Sequence, residues 1–222
     1  MKRGVLGLMR QDLPPLQSHR ETRTVDGVEL RDQISVAGVQ RTANGTDITE
    51  GRAATQSLGE RESVQLTADD VVVDGTDDVR TRHTQFASVP GEFVVVDNGT
   101  GTFLFDLIES QTGGAVERAT LDLDAFLDAL PDPQLWKVGF YDRDGGAESG
   151  VVHGDDVLDD GAFGSALESL PKNQVGIDTT FDDTEYKLNV ARSGYVEVYR
   201  PSDVDTAEYV EFLREVVVPH AN

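Results

Sequence analysis

The sequence predicts an α+β fold: a mixed or mainly antiparallel sheet with a few short helices and a C-terminal helix, preceded by a β/loop-rich N-terminal segment. Two observations carry this expectation. Strand-like and helix-like patterns interleave after Phe93, with hairpins dominating near the end and a helical apolar stripe closing the chain. All 15 aromatic residues lie at or after Phe86, so the first third of the chain has none of the large side chains that fill a core.

The N-terminal segment comes first. Short apolar alternation runs from Val25 to Val39, and Gly27, Gly38, Gly45, Gly51 and Gly59 interrupt a stretch rich in Thr, Gln and Arg, which predicts short strands and loops. Residues 1–65 carry nine basic and nine acidic residues, whereas residues 66–222 carry ten basic and 32 acidic ones and account for the whole net charge of -22. The expected organisation is therefore a neutral, aromatic-free segment or assembly arm over 1–70 and an acidic α+β domain over 71–222. Burial returns about 25 cal/mol per Å² while ordering costs about 1–2 kcal/mol per residue, so a segment this poor in apolar bulk is expected to need a partner surface.

The acidic part is read element by element. Phe93-Val94-Val95-Val96 is a short apolar strand, followed by a helical stripe through Phe103, Leu104, Leu107 and Ile108 that Gly113-Gly114 ends. Val116 to Leu121 reads as a strand. Asp122 or Asp124 starts a short helix that Pro131 and Pro133 stop. Leu135 to Tyr141 and Gly150 to His153 form a hairpin across Asp142 to Gly146, and a short helix covers Phe163 to Leu170. Strands follow at Val175 to Phe181, Tyr186 to Ala191 and Tyr195 to Arg200, the last two joined by the turn Arg192-Ser193-Gly194. The final helix has Asp205 and Glu208 as a capping box, an apolar face of Val210, Leu213, Val216 and Val217, and Pro219 as its stop.

The strand, Ser-Gly turn, strand and helix over Leu188 to Val217 resembles the repeat of TATA-binding-protein-like folds. That resemblance implies a curved sheet with a helix behind it and no particular functional residues.

Composition bounds the chemistry. With no cysteine, disulfides, thiolate metal sites and cysteine nucleophiles are excluded. Asp outnumbers Glu by 26 to 15 and Arg outnumbers Lys by 15 to 4, a bias that resembles cytoplasmic proteins of extremely halophilic archaea. At molar salt the Debye length falls to about 3 Å, which screens the self-repulsion of such a chain. A cytoplasmic location is expected, since no apolar run reaches a membrane span and the N-terminal run is shorter than a signal peptide's.

No P-loop, nucleophile elbow or dinucleotide fingerprint is present, no cofactor is expected, and His19, His83, His153 and His220 are too scattered to pair at helical spacing. Three readings remain. The leading one is a non-catalytic binding or assembly protein whose N-terminal segment docks on a protein partner or a second subunit. Another is a nucleic-acid-binding protein: alternation in the last hairpin sends Leu188, Val190, Val196 and Val198 one way and Lys187, Asn189, Tyr195, Glu197 and Tyr199 the other, with Arg80 and Arg82 as further cations. The third is a metal-dependent hydrolase with Asp142, Asp144, Asp155 and Asp156 as ligands to a hard cation, although the loop lacks the closing Glu of a calcium-binding loop.

Overall fold

The computed structural model describes residues 1–11, 13–141 and 148–222. Its strands are β1 (Arg3–Met9), β2 (His19–Val25), β3 (Val28–Arg41), β4 (Asp47–Leu66), β5 (Val71–Val89), β6 (Phe93–Val96), β7 (Val116–Arg118), β8 (Gln134–Tyr141), β9 (Ser149–His153), β10 (Lys172–Phe181), β11 (Thr184–Ala191) and β12 (Tyr195–Arg200). Among the described residues four short helices, α1 (Phe103–Thr112), α2 (Leu123–Ala129), α3 (Gly164–Ser169) and α4 (Thr206–Phe212), complete the α+β architecture. The strands form one antiparallel sheet in the order β2-β3-β4-β5-β6-β1-β12-β11-β10-β8-β9, with β7 paired to β1 off this path.

The first strand holds the centre. Strand β1 pairs with β6 on one side and with β12 and β7 on the other, so one sheet runs continuously from the N-terminal strands to the C-terminal ones. The compositional change near residue 70 falls at the turn between β4 and β5. In the middle of the sheet both faces are buried. Leu6 and Val95 join one core, and Val5, Val94 and Val96 join the other, which is why these strands are continuously apolar instead of alternating.

The first core lies between β8, β10, β11 and β12 and the helices. Val138, Val175, Leu188, Val190, Val196 and Val198 meet Phe126, Leu167, Tyr209 and Phe212 there. Tyr186 stacks on Phe212 at 4.7 Å, and the buried Tyr209 hydroxyl donates to the Val196 carbonyl at 2.9 Å, tying α4 to β12. The predicted capping box at Asp205 and Glu208 is formed. Beyond Phe212 the last helix widens into a π turn over Leu213–Val217 and closes in a 3-10 turn that contains Pro219. The second core lies on the opposite face, where Phe103, Leu104 and Ile108 of α1 cover Phe86, Val94, Val96 and Ile34. Helix α1 ends at Gly113, whose φ of 74° places it in the left-handed region.

The N-terminal strands are long, not short: β3 has 14 residues and β4 has 20. The glycines expected to break them are absorbed instead. Gly38 sits at a register shift in the β3–β4 ladder, and at Gly51 a Cβ would come within 2.3 Å of the Ser35 carbonyl and 2.7 Å of the Phe86 ring, so only glycine lets these strands close. Leu30, Asp32 and Ile34 are buried on one face of β3. Asp32 is held there by Arg23 at 2.9 Å and by the Thr55 hydroxyl at 2.6 Å, while Arg23 also donates to the Gln56 carbonyl. Burial pushes the Asp32 carboxyl up, but these bonds and the Arg23 charge outweigh it and hold its pKa below the ordinary 3.8.

Candidate functional site

Two surfaces stand out because the fold leaves them uncovered. The first is the face of β12, β11, β10, β8 and β9 that lies away from α4. Strand register sets two rows across it. Arg3, Glu197, Asn189, Gly176, Lys137 and His153 align in one row, and Arg200, Lys187, Asp178 and Gln134 align in the next.

Between these rows sit two extra residues. The β10–β8 ladder shifts register between Gly176 and Ile177, and the β11–β12 ladder shifts between Lys187 and Leu188, leaving Trp136 and Tyr199 without direct partners. Such bulges turn two consecutive side chains to the same side. Trp136 therefore joins Lys137 on the open face, where strict alternation would send one of them into the core. The missing side chain of Gly176 makes the room: a Cβ there would lie 2.5 Å from the indole.

The rings and charges interlock. Trp136 and Tyr199 meet edge to face at 6.0 Å, His153 lies tilted 6.3 Å from the indole, and the Lys187 ammonium sits over the indole at 4.7 Å while bonding Asp178 at 2.9 Å. The half-buried Lys137 ammonium donates to Asn189 Oδ1 at 2.9 Å; burial lowers its pKa, and the Glu197 charge partly restores it. Glu197 accepts hydrogen bonds from Tyr195 at 3.0 Å and Tyr199 at 3.2 Å. Burial first, and then the Glu197 bond and charge, push Tyr195 up to about 12 and raise Tyr199 as well. Trp136 Nε1 is out of reach of solvent and has no acceptor among the described residues.

The residues singled out in the sequence are thus only partly assembled. Lys187, Tyr195 and Tyr199 share the open face, but Tyr195 packs at the margin of the second core. Arg82 lies over Phe103 of α1 at 5.5 Å, and Arg80 donates to the Glu60 carbonyl, both on the far side of β6 and β1 from Tyr199. Asp142 and Asp144 lie outside the described residues. Asp155 and Asp156 occupy irregular bends before α3, where Asp156 accepts from the Leu158 amide at 3.3 Å, and among the described residues no three acidic or histidine side chains gather in a metal-holding group. Trp136, Lys137, Arg3 and Arg200 were missed. A signal for the first two existed: Leu135 and Val138 are both apolar, and a strict period of two cannot bury both.

The second surface is a ribbon. Strand β3 leaves β4 after Thr55, and β6 pairs with β5 only from Phe86, so the stretch from Ser57↔Arg80 to Leu66↔Val71 is a ladder of two strands. At about 3.3 Å per residue it extends about 30 Å. Val64 pairs with Val73 and Leu66 with Val71, which puts all four aliphatic side chains on one face at the tip, with exposures of 58%, 54%, 81% and 56% in that order. Leu58 and Val79 pair on the same face at the base.

No protein-family model matches this chain, and comparison with curated proteins finds no similar sequence. Among the described residues, no helix is long and apolar enough to cross a membrane.

Proposed function

We propose that this chain is a binding and assembly protein of a salt-rich cytoplasm, and that it docks through the β4–β5 ribbon onto a second copy of itself. The observation that carries this reading is the cluster of Val64, Leu66, Val71 and Val73 exposed at the ribbon tip. A two-stranded ribbon is marginal in water by itself, and an exposed aliphatic cluster on a ladder with no further strand beside it among the described residues is a surface suited to being covered. A second ribbon fits this surface because the pattern is self-complementary. One face has aliphatic pairs at tip and base with Glu60 and Glu62 between them, so two ribbons packed antiparallel place each tip on the other's base.

The acidic middles then oppose one another, so association strengthens as salt screens them. Sedimentation velocity at low and at molar KCl tests this. The expected result is a dimer favoured by salt, reduced to monomer when residues 59–78 are replaced by a two-residue turn joining Leu58 to Val79. A wild-type chain that stays monomeric at high protein concentration in molar KCl would overturn the reading.

A further inference from the structure

We propose that the open face of β12, β11, β10 and β8 binds single-stranded nucleic acid, with a base stacked on Tyr199 against the edge of Trp136 and phosphates on Arg3, Lys137 and Arg200. On a chain of net charge -22, this face carries Arg3, Lys137, Lys187 and Arg200 against Glu197, Asp178 and Glu185. It holds two of the chain's four lysines and its single tryptophan. A local excess of cations on so acidic a molecule marks the place where a polyanion is least repelled.

The charges are also distributed for it. Lys187 is committed to Asp178 and the indole, whereas among the described residues Lys137 makes its one hydrogen bond to a neutral amide, and Arg3 reaches Glu197 only at 3.9 Å. Arg200 is exposed beside Lys187. Arg3 and Lys137 stand four strands apart, about 19 Å at ~4.8 Å per strand, which spans a short run of nucleotides. Tyr199 is 42% exposed and meets Trp136 in a T-shaped pair, which leaves part of its ring accessible to a base. Stacking needs unpaired bases and suits a sheet strip, which favours a single strand over a duplex. The bulge at Trp136 lets Leu135 and Val138 both reach the core, and with the bulge at Tyr199 it turns an extra ring onto the open face, where the two rings supply the platform.

Trp136 is the reporter of its own site, because no other tryptophan contributes fluorescence. The full chain is titrated with a short oligothymidylate, a duplex of equal length, inorganic polyphosphate and polyglutamate. The expected result is saturable quenching by oligothymidylate, with a log–log salt slope near -2 for three phosphates at about 0.7 each. Tyr199→Leu and Lys137→Gln each weaken it by roughly fivefold or more, with circular dichroism unchanged. Arg80→Gln with Arg82→Gln leaves it unchanged, and so does the shortened ribbon, which separates this site from the dimerisation above. Absence of quenching at every salt concentration overturns the proposal. So does equal binding of polyphosphate or polyglutamate, which would leave a charge patch without base recognition, and so does preference for the duplex.

Discussion

The two wings of the sheet are built on different terms. From β1 to β8 each strand has helices or a second core against at least one face, and aromatic side chains such as Phe126, Phe212 and Tyr186 fill the space between layers. From β2 to the ribbon of β4 and β5 the strands lengthen while the packing thins, until two strands run on with nothing beside them among the described residues. Hydrogen bonds hold a ladder together locally, but burial sets how much free energy is lost when it opens. The C-terminal wing is therefore the scaffold, and the ribbon is an extension with little burial to support it.

The largest expected effect breaks the scaffold. Phe212→Ala removes a fully buried ring stacked on Tyr186 and should cost about 3–5 kcal/mol by urea denaturation. Leu66→Ala at the ribbon tip should change the monomer's stability by less than about 0.5 kcal/mol. If the two were alike, the distinction between wings would fail.

In the N-terminal wing the sharper test is polar. Asp32→Asn removes the charge that Arg23 and Thr55 hold and should cost about 1–2 kcal/mol at neutral pH, allowing for the partial exposure of Arg23. Asp32 has a lowered pKa in the folded protein, so its contribution is complete above the ordinary 3.8 and is lost as pH falls through the lowered value. The stability curves of wild type and variant should converge there on acidification.

Tyr209→Phe should cost about 1 kcal/mol by deleting the bond to Val196 while leaving the packing of α4 intact, as read from thermal unfolding. Smallest of all in free energy, but clearest in contrast, is hydrogen exchange. Ribbon amides between Ser57 and Leu66 should exchange far faster than those of β10 and β11, and should become protected in the dimer.

Local signals carried much of the C-terminal wing. The stripe of α1 with its stop at Gly113-Gly114, the capping box of α4 and the last hairpin each depend on a few neighbouring residues and lie where those residues placed them, while of Asp122 and Asp124 the structure selects Asp122 as the cap of α2. The N-terminal strands were harder, because a glycine in a long strand and a glycine in a loop look alike until a facing strand or ring arrives. Gly51 shows this: its role is to admit Ser35 and Phe86, which lie 16 and 35 positions away.

The sequence by itself determined the chemical inventory, the acidity and its confinement to residues 66–222, the antiparallel character and the closing helix. Those follow from composition and from contacts within a turn or two of chain. Only the tertiary structure decided that β1 joins the two wings, that residues around the 70 boundary form a projecting ribbon, and that Trp136 and Lys137 face outward together. Strand partners and bulges are set by which distant surfaces must be buried at once, and a one-dimensional period does not contain that constraint.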